Sequence, residues 1–103
     1  MAIQNTALTT TATAIYVSSG NSAVSTIHLC NYTSSPITAN LYVAASSGNV
    51  ANNTTIVYGG VTISAYNTLI IDREKLVLAG GDTIYANVSS ASAATATVSY
   101  MGF

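Results

Sequence analysis

Charge is what this 103-residue sequence has least of. Acidic and basic residues make up 5 % of it, where about 25 % is usual for a soluble domain. The formal net charge is −1, so no basic patch exists to release counterions from a phosphate backbone, which excludes nucleic acid as a partner. There is one cysteine, Cys30, so no internal disulfide can form and the fold must stand on packing. Tryptophan is absent and proline occurs once. No apolar run approaches the roughly 20 residues that cross a bilayer. The opening MAIQNTALTTTATAIYV has neither the cationic start nor the apolar block of a secretory signal, and the expectation is a chain kept in the cytoplasm that synthesises it, with no membrane partner.

What replaces charge is Ser, Thr and Asn, which hydrate a surface without steering anything towards it. Half of the residues are apolar, too many for a disordered chain. Sixteen of them are Ala, and the larger stock is nine Ile, nine Val and six Leu, a β-branched set that suits strands. A chain of this length buries about 60–70 % of its unfolded surface and builds one core.

Apolar residues alternate with polar ones at period two, and no helix-length stripe of period 3.6 appears, so the class is all-β. AVSTIHLCNY (23–32) sets Ile27 and Leu29 against Thr26, His28, Cys30 and Tyr32. PITANLYVA (36–44) sets Ile37, Ala39, Leu41 and Val43 against Thr38, Asn40 and Tyr42. The short TSS link reads as a hairpin between them. SSGNVANN (46–53) reads as a polar loop, and Gly59-Gly60 separates TTIVY from VTISA as a break between strands. Further strands are expected near 14–17, 67–72, 82–89 and 95–101. The sum is a single antiparallel β-sandwich, jelly-roll or immunoglobulin-like, of seven or eight strands, with residues 1–12 as an N-terminal arm and 13–103 as the sandwich domain.

Four of the five charged residues are consecutive: Asp72, Arg73, Glu74 and Lys75, with Asp82 apart. They fall in a segment, REKLVLAGGD, that reads as a crossover between sheets, with Leu76 and Leu78 pointing inward and Gly80-Gly81 making a tight turn. Locally balanced, solvated ion pairs of this kind are worth under about 1 kcal/mol, while pairing across a subunit contact would use them as register marks. Asp72, Glu74 and Asp82 invite a calcium site, but calcium takes six to eight oxygens and Arg73 and Lys75 compete for these acids. His28 and Cys30 share a strand face, yet positions two apart lie about 6–7 Å from each other and no third group is evident to orient the imidazole as a base. One Cys and one His do not make a structural zinc site. No metal, cofactor or catalytic residue is assigned, and the chain reads as a non-enzyme. N-x-S/T sequons begin at Asn31, Asn52, Asn53 and Asn87, as chance dictates in so Asn- and Thr-rich a chain.

The tyrosines are more informative. Tyr32, Tyr42 and Tyr85 fall on the parity opposite the aliphatic residues of their strands, which places them on one uncharged, aromatic outer face. Tyrosine is enriched and Lys and Glu depleted in protein interfaces, so Tyr32, Tyr42 and Tyr85, with Asp72, Arg73, Glu74 and Lys75 at the rim, are the candidate interface.

The stretches GNSAVSTIHLCNYTSSPITANLYV, VTISAYNTLIIDREKLVLAGGDTIYANVSS and TATVSYMGF carry a resemblance. From about Thr13 onward the chain resembles small virion structural proteins of tailed bacteriophages, those of the capsid decoration or tail-associated type. The components are a strand ending in Cys30-Asn31, a return strand opened by Pro36, a Leu-rich crossover, the Gly-Asp-Thr-Ile start of the penultimate strand, and a closing VSYMGF. GGDTIYANV is also similar to the Asp-to-Tyr spacing of immunoglobulin-like domains, with Tyr85 three residues after Asp82 where that pattern has four. The resemblance implies a non-enzymatic capsid decoration or cement protein in the virion, bound to the major capsid protein or another virion protein and to itself, as a trimer first. A neck, tail or fibre component is the alternative, and a carbohydrate- or host-surface-binding module a second one.

A domain with so little charge has little electrostatic protection against self-association. Sedimentation at micromolar concentration is expected to show an oligomer, and charge reversal of Asp72, Arg73, Glu74 and Lys75 to weaken it if these residues pair across the contact. A stable wild-type monomer overturns the first expectation, and an oligomer unchanged by reversal leaves the tetrapeptide in solvent.

Overall fold

The computed structural model describes residues 2–45, 51–52, 55–71 and 76–102. Nine strands follow in order: β1 (Ala2–Ala7), β2 (Thr13–Val17), β3 (Ser22–Asn31), β4 (Ile37–Ala44), β5 (Ile56–Ile63), β6 (Thr68–Ile71), β7 (Leu76–Leu78), β8 (Thr83–Val88) and β9 (Ala94–Gly102). They form two antiparallel sheets. A five-stranded sheet runs β1-β9-β3-β6, with β7 also on β3, and a four-stranded sheet runs β2-β8-β4-β5. Taking β6 and β7 as one interrupted edge strand along β3, the order is that of a jelly roll, which decides between the two sandwich types left open by the sequence.

The alternation read from the sequence is what packs the sheets. Ile27 and Leu29 of β3, Ile37, Ala39 and Leu41 of β4, Ile84, Ala86 and Val88 of β8, and Ala94, Ala96 and Val98 of β9 are all buried in one core. Small Ala residues among the Ile, Leu and Val leave room for the larger side chains of the facing sheet. Tyr16 and Tyr100 close one side of the core, ring centroids 4.4 Å apart and tilted by 40°. A register shift in β3 between Val24 and Thr26 inserts one residue, so that Ser22 and Val24 face inward together with Ile27, Leu29 and Asn31.

Four expectations need correction. The segment 23–32 and the segment 36–44 do not form a hairpin: β3 belongs to the five-stranded sheet and β4 to the other. Gly59-Gly60 is not a break, because β5 runs through it. Tyr58 pairs with Leu41 and Val61 with Ala39, leaving both glycines opposite Asn40 as a bulge. Gly60 adopts φ +64° there, and its N–H donates to Asn40 Oδ1 at 2.7 Å. Residues 1–12 are not only an arm: Ala2–Ala7 pair with β9 from Ala2↔Tyr100 to Ala7↔Thr95, and Leu8 is 1 % exposed. The strands number nine, where seven or eight were expected. Asp72, Arg73, Glu74 and Lys75 lie outside the described residues, as does most of the loop read over 46–53. Beyond them β7 returns to β3, Leu78 is buried, and the change of sheet is made by Ala79–Asp82, where Asp82 N–H donates to the Ala79 carbonyl and Ala79 N–H to Asp82 Oδ2.

The corners of the sandwich are built from polar side chains. At one end, Ser18 and Ser22 are buried, their hydroxyls 2.7 Å apart. There the turn at Gly20 meets the turn at Gly80, whose hypothetical Cβ would stand 3.2 Å from the Gly20 nitrogen. At the other end Asn31, fully buried, replaces the missing hairpin. Its Nδ2 donates to the carbonyls of Ser35, Ile63 and Ser64 at 2.8–3.2 Å, and its Oδ1 accepts from Thr33 N–H and Oγ1 at 2.9 and 2.7 Å. One amide thus fixes the β3–β4 crossing against the end of β5. Its burial also closes the sequon at Asn31 in the folded chain.

Asn31→Ala strands the buried Ile63 carbonyl and takes the partner from the part-buried Ser35 and Ser64 carbonyls and Thr33 N–H, and should cost about 2–4 kcal/mol by denaturant unfolding, since each buried unsatisfied group costs about 1–3 kcal/mol. Asn31→Asp removes the donor while keeping the shape, and should be at least as destabilising at neutral pH. An Asn31→Ala change of less than about 0.5 kcal/mol, the range of ordinary surface substitutions, would show that the corner holds without the amide.

Candidate functional surface

The outward residues of the five-stranded sheet follow from its register. Met101, Ala23 and Val77 make one cross-strand row, and Asn5, Thr97, His28 and Ile70 another. Ala7, Thr95, Cys30 and Thr68 make a third, while Ile3 stands beside Ser99. This face carries four large apolar side chains in water: Ile3 (65 % exposed), Ile70 (54 %), Val77 (69 %) and Met101 (50 %). Between them lie hydroxyls and amides, with Thr97 Oγ1 donating to Asn5 Oδ1 at 3.0 Å. Among the described residues none of these positions is an acid or a strong base. Such a face loses little hydration free energy when covered, because amides and hydroxyls cost far less to desolvate than ions.

The three tyrosines chosen from the sequence do not share a face. Tyr42 and Tyr85 are directly opposite one another in the β4–β8 pair, half-buried on the outside of the four-stranded sheet. Tyr32 follows β3, is 49 % exposed, and donates its N–H to Ala93 at an end of the five-stranded sheet. Parity along a strand assigns a side of its own sheet only, and these strands occupy opposite sheets. Sequence reasoning missed Tyr66, 72 % exposed at φ +57°. It sits near Tyr32, since its N–H donates to the Thr33 carbonyl at 3.1 Å. Two exposed aromatic residues therefore mark the same end of the sandwich. A bulky residue at positive φ is uncommon, and no sequence signal announces it.

His28 and Cys30 are adjacent outward positions on β3, both half-buried. Their cross-strand neighbours are Thr97 and Ile70, and Thr95 and Thr68, none of them an acid. No group of three or more His, Cys, Asp or Glu comes together among the described residues. Of the acids weighed for calcium only Asp82 lies within them, and its carboxylate caps the β7–β8 turn.

On the four-stranded sheet Asn40 stands opposite Asn87, one row from the Tyr42–Tyr85 pair. Tyrosines flanked by amides would suit a sugar, but both amides have structural work. Asn40 holds the β5 bulge, and Asn87 Nδ2 donates to the Thr10 carbonyl at 3.2 Å, leaving Asn87 Oδ1 buried and unpaired. Two shallow depressions lie near the β5 edge, one lined by Thr62, Ser64, Asn67 and Leu69, the other by Pro36, Thr38, Thr62 and Ser89. Neither sets a hydroxyl beside a His, Asp or Glu. Compared with protein-family models, curated proteins and solved structures, the chain finds no match.

Proposed function

We propose that this chain is a non-enzymatic structural protein that works by adhesion, and that its setting is the one its sequence resembles: the virion of a tailed bacteriophage, as a capsid decoration or cement protein. The observation that carries adhesion is the outer face of the five-stranded sheet, with Ile3, Ile70, Val77 and Met101 exposed and no full charge beside them among the described residues. A partner that covers this face must itself be neutral there, because an ion buried against it would lose hydration without gaining a counter-charge. We assign it to an uncharged patch on the shell protein. The jelly-roll order is compatible with this role and does not select it, since capsid proteins, lectins and cupins share the architecture. The amides beside Tyr42 and Tyr85 are committed to the fold, so the sugar-binding alternative has less to work with than the sequence suggested.

Two measurements test the reading. In purified particles the chain should be present in numbers comparable with the shell protein; a few copies confined to tail fractions would move it to the neck, tail or fibre. Val77→Glu and Ile70→Glu change exposed positions and should shift stability by less than about 0.5 kcal/mol, while abolishing recovery of the protein on particles. Unchanged recovery with both variants overturns the assigned face. Glycan binding by the isolated protein, lost in Tyr42→Ala or Tyr85→Ala, would replace adhesion by sugar recognition.

A further inference from the structure

The first strand is attached to the domain in an unusual way. None of its six side chains is buried, so β1 is held by its backbone pairing with β9 and by the Leu8 anchor behind it. Leu8 N–H continues the pairing by donating to the Ala94 carbonyl at 3.0 Å. The chain then leaves the five-stranded sheet at once, because the Thr9 carbonyl accepts from Val88 N–H at 3.0 Å on the other sheet. The corner between β1 and β2 is Leu-Thr-Thr-Thr-Ala, residues 8–12.

The turn signal in that corner is a weak one, threonine hydroxyls alone. The corner has no Gly, Pro, Asn or Asp, the residues that supply turn geometry, and its three threonines favour extended backbone. The bend is held by threonine hydroxyls: Thr9 Oγ1 donates to the Thr11 carbonyl at 2.9 Å and accepts from Thr11 N–H at 3.2 Å, and Thr13 Oγ1 donates to the Thr11 carbonyl at 3.0 Å. All three are exposed, where water competes and a net hydrogen bond is worth about 1 kcal/mol. A straight segment has an alternative use for the same backbone. Continuing the β2–β8 register past Thr13↔Ala86 would set Thr11 opposite Val88 and lengthen that ladder. The extended preference of the three threonines and the bend held by their exposed hydroxyls therefore compete.

We infer that β1 is exchanged between two copies of this chain, each laying Ala2–Ala7 along the outer edge of the other's β9 while Thr9–Ala12 straightens. The occupant of that edge is already known to fit, because the register from Ala2↔Tyr100 to Ala7↔Thr95 is the same whether β1 belongs to its own copy or to another. Exchange keeps every β1–β9 bond, relieves the corner, and closes a symmetric dimer without leaving the β9 edge open to further chains. It does not rest on the virion reading, which concerns the face of the sheet and not its edge.

Cysteine pairs across the β1–β9 ladder test it in a Cys30→Ser background. Directly opposed antiparallel positions are close enough for a disulfide, and Asn5↔Thr97 is such a pair on the outer face. The chain carrying both Asn5→Cys and Thr97→Cys, refolded at micromolar concentration and oxidised, is expected to run as a covalent dimer on a non-reducing gel. An equal mixture of Asn5→Cys chains and Thr97→Cys chains, co-refolded, should give the cross-linked heterodimer, while Asn5→Cys mixed with Thr62→Cys, on the other sheet, should not. Complete conversion of the double variant to a cross-linked monomer, with no heterodimer in the mixture, overturns the exchange. Equal heterodimer yield with Thr62→Cys overturns it as well, since chance collision then accounts for the bond. Neither result bears on recovery of the protein on particles.

Discussion

The ladder between β3 and β9 pairs residues 22–31 with residues 94–102, and the rest of the five-stranded sheet hangs from one or other of its strands. β1 attaches to β9, and β6 and β7 attach in turn to the far side of β3. The ladder also supplies one wall of the core, through Val24, Ile27 and Leu29 on one strand and Ala94, Ala96 and Val98 on the other. Its two strands are more than sixty residues apart in sequence, so the sheet cannot form until a large loop has closed. Such non-local pairing makes folding slow and leaves strand edges unpaired meanwhile. With no disulfide available, packing across this wall and polar corners such as Asn31 hold the sandwich.

Low charge and open edges belong to one design problem. Proteins that must stay monomeric protect edge strands with lysine, proline or inward charge. Among the described residues the edge strands carry none of these; β5 has its glycine bulge, β2 a register shift, and β6 and β7 are only 4 and 3 residues long, which leaves β1 as a regular edge without such a device. An edge without such protection leaves backbone donors and acceptors on which another strand can pair. Hydroxyls and amides hydrate a surface and cost less to desolvate than ions do. The two proposed contacts are separate places, the face of the five-stranded sheet acting by side chains and the edge of β9 by backbone.

How much of this was legible in the sequence depends on the range of the interaction. Burial faces were read well: Ile84, Ala86 and Val88, or Ile37, Ala39 and Leu41, point inward as their alternation requires, because the period of a strand is a property of a few consecutive residues. The surface was read less well. Tyr42 and Tyr85 were correctly placed outward, yet they do not join Tyr32, and the exposed Ile70, Val77 and Met101 were passed over because each sits in a short apolar run that looks like core.

The sequence by itself determined the class, the single core, the neutral surface and the inward set of most strands, all of which follow from composition and local periodicity. Only the tertiary structure decided which strands are neighbours. Asn31 reads locally as the end of one arm of a hairpin, and becomes a crossing between sheets because its amide finds the carbonyls of Ile63 and Ser64, more than thirty residues away. Ala2–Ala7 read as part of an arm over residues 1–12, and become a strand because β9 offers backbone to pair with. In both cases the deciding partner is distant in sequence, and the hydrogen-bonding groups concerned are common to every residue or to any asparagine, so they leave no local pattern to read.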